Sequence, residues 1–188
     1  STSFDEKMKK LINEIISFLG EPDRIEIEKK YLIEMPDLEK LTENHGCRKI
    51  DIIQTYLART ESLTRRVRQR GEDGNYVCTE TIKRRISPTR RLETERRLTE
   101  DQYLELLEQA DPSVPVLHKT RYCFAYDRQY FEIDVYPFWK DRALVQIEVA
   151  DETTDVRFPE DVHVIREVTG EKEYRNSVIV LAAGAQQA

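Results

Sequence analysis

The 188-residue chain has only three cysteines, Cys47, Cys78 and Cys123, and no two stand in C-x-x-C spacing. Neither a disulfide framework nor a zinc site is indicated. The three are expected to pack as small apolar side chains, and a reducing, cytoplasmic setting fits them best. No apolar run approaches the ~20 residues that a bilayer-crossing helix needs, and the N-terminus lacks the basic-then-apolar order of a signal peptide. No membrane partner is expected. His45, His118 and His163 share no metal-ligand spacing and read as surface or packing residues. Internal repeats and low-complexity tracts are absent as well.

What the chain has in excess is charge. Asp, Glu, Lys and Arg make up 35% of it against 39% hydrophobic residues, where soluble proteins average ~25% charged. The length suits one domain with a substantial core. A net charge of −6 argues against a general nucleic-acid coat, and no DNA partner is expected. The stretch from Arg65 to Arg97 is nonetheless strongly basic. An RNA-binding patch would explain it through attraction for phosphates, but strand alternation turns half of these side chains to the opposite face.

Periodicity divides the chain. Phe4, Met8, Leu11, Ile12, Ile15, Ile16 and Leu19 fall at helical spacing behind a Ser3/Glu6 capping box, which predicts a helix over 3–19 and a linker to residue 23. From Ile25 the period becomes two. Strands are predicted at 24–33, 50–58, 63–70, 76–85, 90–98, 117–126, 129–136 and 142–150. Short helices are predicted at 36–44, with Pro36 at the first helical position, and at 99–110, where Thr99 and Gln102 form a capping box. Residues from Glu160 read as a loop, then a short helix near Ser177 to Ala183, leaving 184–188 as a tail.

Alternate strand residues face opposite sides of a sheet, so parity sorts each strand into two faces. Glu26, Glu28 and Lys30 share one face. So do Gln54 and Tyr56; Arg66, Arg68 and Arg70; Thr79, Thr81 and Lys83; and Arg91, Glu93, Glu95 and Arg97. Lys119 and Arg121, then Glu132 and Asp134, and finally Gln146 and Glu148 repeat the pattern. For one strand, a charged face is most simply its solvated side. Across eight strands the positions return almost always to ionic residues of both signs, which predicts an α+β fold: an eight-stranded antiparallel β-barrel with a charged lumen and flanking helices. Charges facing such a lumen need partners. A short polyphosphate with a hard divalent metal supplies both, since Mg²⁺ takes carboxylate and phosphate oxygens while Arg forks onto the remaining oxygens.

The same residues resemble a known family. Glu26-Ile27-Glu28-Lys29-Lys30 is similar to the E-x-E-x-K signature of the CYTH superfamily, the triphosphate tunnel metalloenzymes. Arg66-Val67-Arg68, Thr81-Ile82-Lys83, Arg91-Leu92-Glu93-Thr94-Glu95, Lys119-Thr120-Arg121-Tyr122, Glu132-Ile133-Asp134 and Val168-Thr169-Gly170 follow in the family's order. The resemblance covers 24–183 and is nearest to the bacterial branch that hydrolyses inorganic triphosphate. It implies an Mg²⁺ or Mn²⁺ ion on Glu26, Glu28, Asp134 and Glu148. Lys30, Arg66, Arg68, Lys83, Arg91, Lys119 and Arg121 would hold phosphate oxygens. Glu93 and Glu95 would orient that set or serve a second metal, with Glu132 and Gln146 in support. Lys30 and Tyr56 would position or activate water. Gln146 stands where the family commonly has Glu, which should weaken the metal site.

The implied activity is metal-dependent hydrolysis of inorganic triphosphate or of a nucleoside triphosphate. A non-catalytic polyphosphate or nucleotide sensor is the alternative, and adenylate cyclase is a third reading of the same fold. The predicted N-terminal helix resembles the segment that precedes such tunnels in longer proteins with an upstream P-loop domain, although no G-x-x-x-x-G-K-[ST] occurs here. Trp139, beside Pro137 and Phe138, is expected to anchor a loop rather than to stack a base.

Overall fold

The computed structural model describes residues 24–59, 63–72, 74–87 and 90–185; the side chains of residues 24–26, 58–59, 90–91 and 185 are not described. The helix predicted at 3–19 lies outside this range. Nine strands form one antiparallel sheet: β1 (Arg24–Glu34), β2 (Arg48–Arg59), β3 (Leu63–Glu72), β4 (Asn75–Arg85), β5 (Arg90–Leu98), β6 (Leu117–Tyr126), β7 (Gln129–Val135), β8 (Arg142–Glu148) and β9 (Val164–Glu167). Their order is β5-β4-β3-β2-β6-β7-β8-β1-β9. The helices are α1 (Leu38–His45), α2 (Glu100–Leu107) and α3 (Asn176–Ala185).

The expected eight strands are present, but the sheet has nine. All four residues of β9, Val164 to Glu167, are exposed, so no alternation marks them. The strand forms because Tyr31 to Ile33 offers it an open backbone edge. That edge of β1 is shared, for Arg24 to Ile27 pair with Arg90 to Glu93 of β5. The last long strand in the sheet order therefore meets the first. Between β3 and β4 the turn depends on glycine: a Cβ on Gly71 would lie 2.0 Å from the Asn75 carbonyl oxygen, and Gly74 sits at φ 81°.

Two helices cover the outer, apolar face. Leu41 of α1 packs with Ile33, Phe124, Phe131, Ile133, Val145 and Ile147, and Tyr103 of α2 packs on Leu57 and Val67. α1 starts after an Asp37 N-cap that accepts from the Lys40 amide, so Pro36 stands before the helix instead of in its first position. The Thr99/Gln102 capping box opens α2 as expected. α3 behaves differently. Its Ile179 and Val180 join Leu32, Tyr56, Leu117, Tyr136 and Leu144, residues of the inward parity, so one end of the inner face is apolar and filled. The rest of that face is mostly charged and encloses a cavity. Among the described residues no helix is long and apolar enough to cross a membrane.

Candidate phosphate-binding cavity

The cavity has a volume of about 1110 Å³ and is lined by inward positions of β1 to β8 and by residues of the 168–177 segment. Twelve of the residues predicted for the site line it: Glu28, Lys30, Tyr56, Arg66, Arg68, Lys83, Glu93, Glu95, Arg121, Glu132, Gln146 and Glu148. Glu26 and Arg91 are partners in the β1–β5 register, but their side chains lie outside the described ones. Lys119 and Asp134 have the inward parity and do not line the cavity; they are buried behind it.

That burial has a visible cause. Asp134, fully buried, accepts from Lys119 Nζ at 2.5 Å, from Arg121 Nε at 2.7 Å and from Arg121 Nη2 at 3.0 Å. Arg121 also donates to Glu132 and, at 3.2 Å, to Gln146 Oε1. Four of the five N–H groups of a guanidinium are thereby engaged within the protein. Burial alone would raise the Asp134 carboxyl, but Arg121 and Lys119 outweigh it and hold it far below the usual carboxylate range. The β6-β7-β8 wall is thus internally satisfied. Asp134, expected as a metal ligand, is occupied as the counter-ion of two cations, and Lys119 is turned to it, away from the cavity.

The β2-β3-β4 wall is the opposite case. Gln54, Arg68 and Thr79 stand directly across from one another on adjacent strands, with Tyr56, Arg66 and Thr81 in the next row. Gln54 Oε1, Arg66 Nε, Arg68 Nε and Thr79 Oγ1 are all buried without a hydrogen-bond partner among the described residues. Buried polar groups are normally paired, so four orphans in two neighbouring rows call for an explanation. Arg68 does pair with Glu95, at 2.5 Å. Even so, burial and then the nearby cations Arg66, Arg121 and Arg70 bring its pKa down to about 10, against the pull of Glu95. Arg66, Arg68 and Arg70 thus line one face of β3, with Glu95 the carboxylate partner of both Arg68 and Arg70.

Tyr56 is buried beside this row, and its hydroxyl accepts from Gln54 Nε2 at 2.7 Å. Burial raises its pKa, although Arg66 and Arg68 oppose the shift. Tyr56 therefore stays a phenol, able to donate a hydrogen bond but unsuited to act as a base. Gln54 itself is fully buried and does not line the cavity; its amide holds the Tyr56 hydroxyl from behind.

Glu28 and Glu148 are cross-strand partners on β1 and β8, and both line the cavity. Like charges directly opposite one another are unfavourable unless a cation joins them. Lys30, opposite Gln146, reaches Glu28 at 3.7 Å and donates to the Tyr174 carbonyl at 3.3 Å. Among the described residues no group of three or more His, Cys, Asp or Glu is placed to hold a metal ion. A pair of facing carboxylates fits a Mg²⁺-like ion taking its other ligands from phosphate and water, and does not fit a dedicated protein cage. Lys83 is paired with Glu93 across β4 and β5.

The segment after β9 completes the enclosure. Val168 donates to the Lys30 carbonyl at 2.8 Å, the Lys30 amide donates to Thr169 Oγ1 at 3.0 Å, and Arg175, Asn176 and Ser177 line the cavity. Gln54, Thr79, Arg70 and Arg97 are further lining residues or orphan holders that were not assigned to the site. Parity already placed all four on the inward face; nothing in periodicity could place Arg175 or Ser177. The basic stretch divides as parity requires, with Arg65 and Arg96 pairing outside with Glu80 while Arg66, Arg68 and Arg70 line the cavity. Trp139 packs on Tyr136 and Phe138, with the Arg142 guanidinium 4.9 Å over its ring.

No family model matches the sequence, and neither does any curated protein. Solved structures do. The inorganic triphosphatase NE1496 superposes with a TM-score of 0.53 at 26% identity, over 83% of this chain and 94% of that one. A conserved protein of Pyrococcus furiosus gives 0.52 at 15% identity, over 68% and 80% of the two chains. PH1012 from Pyrococcus horikoshii gives 0.51 at 16%, over 67% and 80%. The two archaeal likenesses speak for the fold alone. With the charged inner face and the ordered motifs, these similarities agree with the chain's resemblance to the CYTH, or triphosphate tunnel, superfamily.

Proposed function

We propose that the chain is a tunnel-type triphosphatase that hydrolyses a phosphoanhydride bond of a triphosphate held in the cavity, together with Mg²⁺ or Mn²⁺. The observation that carries this reading is the β2-β3-β4 wall, where, among the described residues, buried donors on Arg66, Arg68 and Thr79 lack partners in a row of three lining arginines, Arg66, Arg68 and Arg70. A polyanion gives such donors and guanidinium groups their missing acceptors. The likeness to an inorganic triphosphatase supports the same reading. Glu28 and Glu148 would hold the ion together with phosphate oxygens. When bound, such an ion neutralises charge developing on those oxygens.

The protein's own part is positioning. Arg66, Arg68 and Thr79 fix the phosphates, and Tyr56, as a phenol, orients a water or a phosphate oxygen by donation. The water oxygen bonds to the terminal phosphorus, the P–O–P bond breaks, and diphosphate leaves with the electron pair. The water proton passes to phosphate oxygen. Phosphate release from tripolyphosphate, measured with Mg²⁺ or Mn²⁺ and again in excess EDTA, tests the proposal. Release is expected only with the metal, and undiminished turnover in EDTA would remove the metal from it.

One observation favours binding without turnover. Gln146 and Asp134, at positions where carboxylates could serve a metal, are engaged by Arg121. Tight metal-dependent binding of tripolyphosphate with no phosphate release would replace the enzyme reading by a sensor.

A further inference from the structure

Arg166 of β9 makes more contacts than an exposed arginine needs. Its guanidinium forks onto Glu171, with Nη1 donating to Oε1 at 2.5 Å and Nη2 to Oε2 at 3.0 Å, and Nη2 also donates to the Tyr174 hydroxyl at 3.2 Å. The same guanidinium stands 5.2 Å over the Tyr174 ring. One side chain of β9 thus grips both ends of the segment from Glu171 to Tyr174, which winds into a single 3₁₀ turn, Lys172–Tyr174. An ordinary ion pair whose members are 46% and 38% exposed contributes little to stability. A fork that also stacks on an aromatic ring fixes geometry.

What it fixes is the surroundings of Lys30. A lysine ammonium is a compact charge on a flexible four-carbon stem, so its place in a wet cavity is set by the acceptors around it. Lys30 Nζ donates to the Tyr174 carbonyl at 3.3 Å and lies 3.7 Å from Glu28, the carboxylate that faces Glu148. The Lys30 backbone is bound to the same segment: its carbonyl accepts from the Val168 amide at 2.8 Å, and its amide donates to Thr169 Oγ1 at 3.0 Å. The Thr169 hydroxyl in turn donates to Glu167 at 2.6 Å. Residues 167–174 therefore reach Lys30 at its amide, its carbonyl and, through Tyr174, its ammonium, and Arg166 closes this segment upon itself.

Building on the triphosphatase reading, we propose that Arg166 is a positioning residue for that reaction: with Glu171 and Tyr174 it forms a bracket at the rim that sets the Lys30 ammonium beside Glu28, facing the bound triphosphate. Arg166 and Tyr174 do not line the cavity, so they act on turnover through Lys30. The arginines of β3 still grip the phosphates when the bracket is broken. A displaced ammonium then costs more in the transition state, where placement of charge matters most, than in the bound ground state.

Two measurements on the full chain test this. In phosphate release from tripolyphosphate with Mg²⁺, Arg166→Ala should lower kcat by ~10-fold at little change in KM, inside the ~10²-fold that a 1 Å misplacement can cost. Arg166→Lys keeps the charge without the fork and should not restore the rate, whereas Arg166→Glu combined with Glu171→Arg rebuilds the fork and should recover most of it. On a Lys30→Ala background, Arg166→Ala should change kcat by less than ~2-fold, because the two act as one unit. An equal loss on both backgrounds would mark a merely structural role and overturn the inference. Independently of turnover, Arg166→Ala should speed deuterium exchange at the Lys30 amide, whose acceptor Thr169 lies in the loosened segment, and leave β6 and β7 as protected as before. Unchanged exchange at Lys30 would overturn the inference and leave the triphosphatase reading standing. Faster exchange in a protein whose wild type releases no phosphate would overturn that reading, and the positioning role with it.

Discussion

Two walls of one cavity use the same residue types to different ends. On β6-β7-β8, Lys119, Asp134, Arg121, Glu132 and Gln146 satisfy one another. On β2-β3-β4, Gln54, Arg66, Arg68 and Thr79 keep buried polar atoms without partners among the described residues. The difference teaches that an inward-facing charge is not by itself a ligand-binding charge. A group whose hydrogen bonds are spent inside the protein holds the fold, and a group left short of partners is available to bind. Breaking the first wall should therefore damage stability, and altering the second should damage affinity.

The largest effect is expected at Asp134. Asp134→Ala leaves Lys119 buried without its counter-ion and Arg121 with Glu132 alone, and breaking a buried pair in this way costs ~3–5 kcal/mol. Urea unfolding reads it as a fall in midpoint at an unchanged slope. A loss below ~1 kcal/mol, the scale of an exposed pair, would show that the wall is not held by this network. Arg68→Ala belongs to the other wall. Hydrogen bonds to charged groups are worth ~1.5–3 kcal/mol, so tripolyphosphate affinity should fall by ~10–150-fold. The stability loss should be smaller than at Asp134, because Glu95, its partner, keeps some contact with solvent. If Arg68→Ala unfolds the protein and spares binding, the comparison is inverted.

Acid sharpens the contrast between paired and orphaned groups. Asp134, Glu80 and Glu95 all have folded pKa values below their ordinary ones: burial works upward in each, and neighbouring cations overcome it. For groups depressed in this way, the stabilisation is present above the unfolded values of ~3.9–4.3 and is lost as pH falls through the folded values. Stability from these groups should be level between pH 7 and 5 and should decline below about pH 4. Glu80→Gln, which removes the partner of Arg65 and Arg96 on the outer face, should make that acid decline shallower. An unchanged slope would exclude Glu80 as a contributor.

Much of this was legible in the sequence, because strand parity is a local property. Alternation placed Arg66, Arg68, Lys83 and Glu148 on one face, and the structure puts all four around the cavity. Alternation cannot say which inward charges meet. Lys119 and Arg121 are read from one strand and Asp134 from another, and only the β6–β7 register, in which Arg121 stands opposite Asp134, turns three apparent ligands into a buried network. β9 escaped for the converse reason: its exposed residues carry no pattern, and its pairing depends on the open edge of β1. α3 was expected outside the barrel with the other helices. Its mean composition is apolar from Val178 to Ala183, and that suits it to fill the inner end beside Leu117 and Leu144.

The smallest effect is the most discriminating, because its two readouts should move in opposite directions. Thr79 is 2% exposed, and its Oγ1 has no hydrogen-bond partner among the described residues. Without ligand that hydroxyl bears a desolvation penalty that nothing offsets, and a methyl of the same shape does not. Thr79→Val should leave the unliganded protein as stable as before, or up to ~1 kcal/mol more stable. With ligand the same hydroxyl gains a phosphate oxygen, so the substitution should weaken tripolyphosphate binding by ~3–10-fold, the worth of one ordinary hydrogen bond. Thermal melts with and without tripolyphosphate and Mg²⁺ read both, since a ligand that binds only the folded state raises Tm according to its affinity. The variant should melt no lower than the wild type alone and lower than the wild type with ligand. If it is destabilised without ligand and binds as well as before, Thr79 holds the wall together, and the orphaned row loses its meaning as a binding site.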